Sequence, residues 1–196
     1  MKISFPVAII IALLSIATIS NAQKIKIVDG DPSILKGQTS IAFKFTYDNM
    51  AIGKFENGQD YIDKKTAEYN AKQAGKGDRW AKEWVTNRAA RYEPKFIDLF
   101  LKYGLMSEKD DAKYTIIFHT SFTEAGYNVY ISRHNAEING EAMIVETAHP
   151  DKVLATISVE KAPGRTYGGD DYDSATRIAE SYADAAKYLA KFIIKN

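Results

Sequence analysis

Four residues near the C-terminus have the types needed to hold a ligand. Arg165 stands in the glycine-rich run Pro163-Gly164-Arg165-Thr166-Tyr167-Gly168-Gly169, and Asp170, Asp171 and Asp173 follow it at the entrance to a helical stretch. Clustered carboxylates supply the several oxygens that a hard cation such as Ca²⁺ demands. A glycine-rich turn opening onto a helix is where phosphate cradles form. The two chemistries conflict, because negative charges at the helix entrance repel a phosphate. The run also lacks the Walker lysine and the dinucleotide-binding glycine pattern, and the aspartates do not have EF-hand spacing. Arg165, Asp170, Asp171 and Asp173 therefore stand as candidate ligand-binding residues, with no metal and no cofactor assigned to them. The competing role is structural: acidic side chains complement the positive end of a helix, and glycines let the chain turn.

The other reactive side chains form no recognisable constellation. His119, His134 and His149 are the only histidines. Three imidazoles suffice for a zinc site, yet no H-E-x-x-H or comparable pair fixes two of them on one face. There is no cysteine and no G-x-S-x-G elbow, so no catalytic residue is assigned. Trp80, Trp84 and Tyr92, beside Arg88 and Arg91, have the make-up of a stacking surface for sugars or single strands. The four-residue spacing of the tryptophans instead places them on the core face of a helix.

These residues need elements to position them. Lys24 to Val28 alternates polar and apolar residues and reads as a short strand, ended by Asp29-Gly30-Asp31-Pro32. Ile41, Phe43, Phe45 and Tyr47 form a bulky stripe on one face of a second strand. Helical patterns follow from Asp60 to Gln73, from an N-cap at Asp78 onward, and from Pro94 to a stop at Gly104 as the residue just past the helix. Tyr114 to Thr123 is the longest β-rich stretch. A crossover of about sixty residues separates it from the strand at 40–47, which makes a parallel pair of the two. Tyr127 to Ser132, an Asn139-Gly140 turn, Ala142 to Val145, a break at His149-Pro150-Asp151, and Val153 to Val159 read as an antiparallel meander. From Ser174 to Lys195 the residues Ala175, Ile178, Ala179, Tyr182, Ala186, Leu189 and Ile193 recur at helical spacing, with Arg177, Glu180, Asp184, Lys187 and Lys191 on other faces.

The N-terminus reads as an address. Lys2 gives a positive start, Phe5 to Ile19 an apolar run, and Ser20-Asn21-Ala22 small residues at a cleavage site before Gln23. A membrane span needs about 20 apolar residues, more than this run provides. Residues 1–22 are therefore expected to be a signal peptide and 23–196 a single α+β domain, periplasmic or secreted, with no transmembrane helix in the mature chain. No repeat, linker or low-complexity tract divides it. Without Lys2, basic and acidic residues are equal in number, which argues against general affinity for nucleic acid. The charge is uneven: residues 59–95 hold nine basic and six acidic residues, and residues 137–173 hold three and eight. Two such segments either present faces to a charged partner or meet within the fold.

The runs Glu124-Ala125-Gly126-Tyr127-Asn128-Val129-Tyr130-Ile131-Ser132-Arg133, His149-Pro150-Asp151-Lys152-Val153-Leu154-Ala155 and Gly168-Gly169-Asp170-Asp171-Tyr172-Asp173, with Arg177-Ile178-Ala179-Glu180-Ser181-Tyr182, resemble a group of uncharacterised exported Bacteroidetes proteins. The resemblance implies an envelope or secreted location. It also implies a small α/β module similar in style to the N-terminal domain of the Tol-Pal translocation protein, and transfers no functional residue. The resulting expectation is a mixed sheet of about five strands with helices mainly on one face. For function, the leading expectation is a non-enzymatic interaction or envelope-assembly module whose partner is an envelope protein or small ligand. The rivals are an envelope-directed hydrolase using carboxylate or histidine acid/base chemistry, and a small-ligand-binding protein.

Overall fold

In a computed structural model, residues 23–129, 131–164 and 173–196 are described. The chain begins with β1 (Lys24–Gly30), a 3₁₀ turn at Pro32–Leu35, β2 (Ser40–Thr46) and a two-residue β3 (Ala51–Ile52). A helical crossover follows: α1 (Gly58–Lys72), α2 (Lys76–Asn87), a π-helical turn at Arg88–Tyr92, and α3 (Glu93–Gly104). After β4 (Ser107–Glu108) come β5 (Tyr114–Glu124), the small hairpin β6 (Tyr127–Val129) and β7 (Ser132–His134), β8 (Ala136–Glu146), β9 (His149–Gly164) and α4 (Ser174–Lys195).

The architecture is α+β. The main sheet has seven strands in the order β1-β9-β8-β5-β2-β4, with β3 also pairing β5. The long helical connection makes β2 and β5 parallel, in register from Ala42↔Thr115 to Thr46↔His119. The β6–β7 hairpin joins β5 to β8 and a tight turn joins β8 to β9, which makes the three long strands antiparallel, and β1 closes the other edge.

Alternation along each strand decides which face is covered. Ile116 and Phe118 of β5, Ile144 of β8 and Ile157 of β9 are fully buried beneath Phe96 and Phe100 of α3 and Ile178, Tyr182 and Leu189 of α4. Phe96 packs against Phe118 with ring centroids 4.5 Å apart, and Phe43 against Phe100 at 5.3 Å. Such aromatic pairs add about 0.5–1.5 kcal/mol each beyond burial. The opposite face carries Thr115, Ile117, His119 and Ser158, half-buried, with Lys44 and Glu141 exposed.

Local readings of the sequence fail where tertiary contacts compete. Asn139-Gly140 does not turn the chain but lies within β8, where the register to both neighbours shifts. A Cβ on Gly140 would sit 2.6 Å from the His119 carbonyl oxygen and 2.9 Å from the Phe118 ring, Asn139 Oδ1 accepts the Lys161 N–H at 2.7 Å, and the extra residues of the two bulges lie opposite the pair, in β5 and β9. His149-Pro150-Asp151 does not break the chain either; it opens the 16-residue β9. Asp78 is not the cap of α2, because Gly75 precedes the helix and the Asp78 carboxylate accepts from Asn70 instead. Past α3 the left-handed position falls on Leu105 (φ 54°) rather than Gly104, which is the last helical residue.

Candidate functional site

Of the four candidate ligand residues, Arg165, Asp170 and Asp171 lie outside the described residues, and Asp173 caps α4. Asp173 Oδ1 accepts the Ala175 N–H at 2.9 Å, and its Oδ2 accepts the Thr176 hydroxyl at 3.0 Å and pairs with Arg91. Burial pushes its carboxyl up, but the bonds from Arg91, Ala175 and Thr176 outweigh burial and hold it below the usual carboxylate range. Arg91 belongs to the basic segment and Asp173 to the acidic one, so the two oppositely charged stretches meet at the head of α4. Lys95 and Glu180 pair at 3.0 Å one turn further on.

The histidines are separate. His119 Nδ1 shares a hydrogen bond of 3.0 Å with Thr46, His134 stacks on Tyr127, and His149 faces Glu146 at 3.3 Å. Among the described residues no three His, Asp or Glu side chains converge as metal ligands would. The aromatic-basic surface is not a surface: Trp84 and Tyr92 are buried, and Trp80 is half-buried against Tyr61, Tyr69 and Trp84.

Among the concave regions of the described residues, two at opposite edges of the sheet carry charged and aromatic side chains together. The larger is a trough along the second half of α4. One cleft of about 470 Å³ is lined by Gln23 and Ile25 at the β1 edge and by Asp184, Tyr188, Lys191, Phe192 and Lys195. A neighbouring cleft of about 320 Å³ shares Pro163, Asp184 and Tyr188 with it and reaches Leu99 and Tyr103 of α3. Lys187, Lys191 and Lys195 recur every fourth residue, which sets them in a row about 6 Å apart along the axis. The ammonium of Lys191 lies 4.8 Å from the Tyr103 ring and 5.7 Å from Tyr188; that of Lys187 lies 5.5 and 5.2 Å from the same rings. The sequence pattern that marks this row is the lysine spacing itself, opposite the apolar stripe.

The second region is a polar corner where the carboxyl end of β2 meets the π-helical turn. Tyr182 is fully buried and shares a 2.7 Å hydrogen bond with Thr120, and the Tyr47 hydroxyl donates to Glu93 at 3.1 Å. Burial pushes the Tyr47, Tyr92 and Tyr182 phenols far above their ordinary range, so all three stay protonated. The Tyr92 hydroxyl is buried with no hydrogen-bond partner among the described residues. Arg88 lays its guanidinium over Tyr47, 4.4 Å from the ring centre. Nothing local in the sequence marks this pair, since its two residues come from different elements.

Among the described residues, no helix is long and apolar enough to cross a membrane. No family model matches the chain, and no curated protein does. Among solved structures it has a distant structural similarity to the PelC dodecamer from Paraburkholderia phytofirmans, 10% identical with a TM-score of 0.40, covering 86% of this chain and 97% of that one. A point variant of the same dodecamer is 8% identical with a TM-score of 0.35, covering 84% and 98%.

Proposed function

We propose that the chain, cleaved after Ala22, works outside the cytoplasm as a non-catalytic interaction module of the cell envelope, and that it grips an extended acidic partner segment in the trough along α4. The observation that carries this reading is the row of Lys187, Lys191 and Lys195 beside the half-open faces of Tyr103, Tyr188 and Phe192. An extended chain repeats its side chains on one face every 6.8 Å or so, close to the lysine spacing. Aromatic floors give such a partner apolar contact, and lysines on the rim give it charge.

The test uses labelled poly-L-glutamate as a probe of the mature chain. Binding should be saturable, weaken steeply with salt, and fall at least tenfold in Lys191→Glu, while Lys72→Glu on α1 leaves it intact. Equal loss in both variants, or none in either, overturns the trough as the binding surface. Export is tested apart from this, by fractionation and N-terminal sequencing. A chain starting at Met1 in the cytosol overturns that part alone.

One observation favours the hydrolase reading. Glu124 and Glu137 are cross-strand partners at the ends of β5 and β8, and burial raises the Glu137 carboxyl, the direction a general acid needs. Turnover of purified envelope polysaccharide that vanishes in Glu137→Gln would establish it in place of the binding module.

A further inference from the structure

We propose that Arg88 is an anion-binding residue and that the pocket it lines takes a small oxyanion, a carboxylate or phosphate group, independently of the α4 trough. The pocket has about 260 Å³ and is walled by Tyr47, Asn49, Asn57, Gln59, Ile62 and Arg88, among others. It lies at the carboxyl end of β2, and β3 is likewise parallel to β5; the crevice outside such strand ends is where open sheets with parallel strands bind ligands. The π-helical turn Arg88–Tyr92 supplies its cation. Such turns occur often at functional sites, because the wider ladder redirects side chains that a regular helix would place elsewhere.

The contrast with Arg91 is the main argument. Three residues apart on one turn, Arg91 spends its charge on Asp173, while Arg88 has no carboxylate at ion-pairing distance among the described residues. Glu93, the acid of the corner, is engaged by the Tyr47 hydroxyl. The Arg88 guanidinium carbon lies 4.4 Å from the centre of the Tyr47 ring, a cation–π contact that holds the charge at the pocket wall. A guanidinium carries its N–H groups in a fork that matches two oxygens of one anion. A guanidinium held this way loses little freedom on binding.

The adjoining start of α1 adds nothing to this. Its first amides are already satisfied: Gly58 N–H donates to Met50 O at 3.1 Å, Gln59 N–H to Asn57 Oδ1 at 3.0 Å, and Asp60 N–H to Asn57 O at 3.1 Å. The anion is therefore held by the arginine, and the pocket's volume restricts it to a small molecule or the tip of a larger one.

The test titrates the mature chain with inorganic phosphate and, separately, with citrate, against sodium chloride at matched ionic strength. Both oxyanions should raise Tm saturably with low-millimolar midpoints and shift the Arg88 Nε resonance. The shift in Tm should vanish in Arg88→Gln and its midpoint should move at least tenfold in Arg88→Lys, which keeps the charge but loses the fork. Each variant must show the wild-type circular dichroism spectrum. If Arg88→Gln does not fold, the Nε resonance of the wild-type chain decides alone. A Tm rise equal in wild type and Arg88→Gln, a rise matched by sodium chloride, or an Arg88 Nε signal unmoved by both anions overturns the proposal. A response to only one of the two keeps the site and identifies its preferred geometry. Poly-L-glutamate binding should be unchanged in Arg88→Gln, which separates this pocket from the trough.

Discussion

The two halves of α4 are continuous in sequence pattern and opposite in use. In the first half three polar side chains are consumed by the fold: Asp173 by the helix's own amides and Arg91, Tyr182 by Thr120, and Arg177 by the carbonyls of Ala125 and Gly126 at 3.1 and 3.0 Å. In the second half Lys187 and Lys191 have aromatic faces as neighbours, and Tyr188 stays 43% exposed. A buried charged residue whose donors end on backbone carbonyls is structural whatever its position on a helical wheel. One whose stem lies on an aromatic ring keeps its charge available to a partner.

If that contrast is right, the largest losses of stability come from the first half. Arg177→Ala strips a buried cation from two carbonyls, and each orphaned acceptor costs about 1–3 kcal/mol, so urea denaturation should show a loss of roughly 3 kcal/mol. Gly164→Ala should be comparably severe, at about 3 kcal/mol, since a Cβ there would fall 2.0 Å from the Arg177 carbonyl oxygen and must push α4 off the end of β9. Next comes Tyr182→Phe, which keeps the ring stacked on Tyr92 but leaves buried Thr120 without its partner, for a loss of about 1–2 kcal/mol. A null result for all three would erase the distinction between the halves.

The same contrast explains what was legible beforehand. The bounds of α4 could be read from its apolar stripe, and the parallel pairing of β2 with β5 from the length of the crossover, because both depend on local period and chain connectivity. Arg177 could not be placed. Its charge puts it among the solvent-facing positions, and only the arrival of the Ala125-Gly126 turn, some fifty residues earlier in the chain, makes burial tolerable. Asn139-Gly140 misleads in the same way, since the His119 carbonyl and the Phe118 ring that crowd a side chain at Gly140 come from a neighbouring strand. Of the candidate site, Asp173 was visible as a helix-entrance acid but its bond to Arg91 was not. The Arg88–Tyr47 contact depends on a π-helical turn that no periodicity announces.

A smaller effect sharpens the boundary at the head of the helix. The Asp173 carboxyl is held below its ordinary range, so its contribution is complete above the unfolded pKa, near 4, and is lost as pH falls through the lower folded value. Asp173→Asn retains a capping oxygen and gives up the pair with Arg91, which is half exposed. The expected cost is about 0.5 kcal/mol at pH 7, shrinking toward zero as pH falls below 3 in paired urea titrations. Glu137 has the reverse sign: burial raises its carboxyl, so the stability it contributes is present at low pH and lost as pH rises through the folded value. Glu137→Gln should accordingly gain slightly at pH 7 and not at pH 3.

A small effect on stability belongs to the second half, and it is the one that decides whether that half is functional. Lys191→Glu touches no buried hydrogen bond; it removes cation–π contacts with Tyr103 and Tyr188 worth about 0.5–1 kcal/mol each at an exposed site, and the introduced carboxylate offsets part of this by facing Lys187 and Lys195 at four residues either side. The net loss should stay under about 1 kcal/mol, well below that of Arg177→Ala, while affinity for an acidic probe drops at least tenfold. Stability and binding would then separate along a single helix. If Lys191→Glu instead unfolds the chain as Arg177→Ala does, the lysine row is part of the scaffold, and the trough loses its claim to a partner.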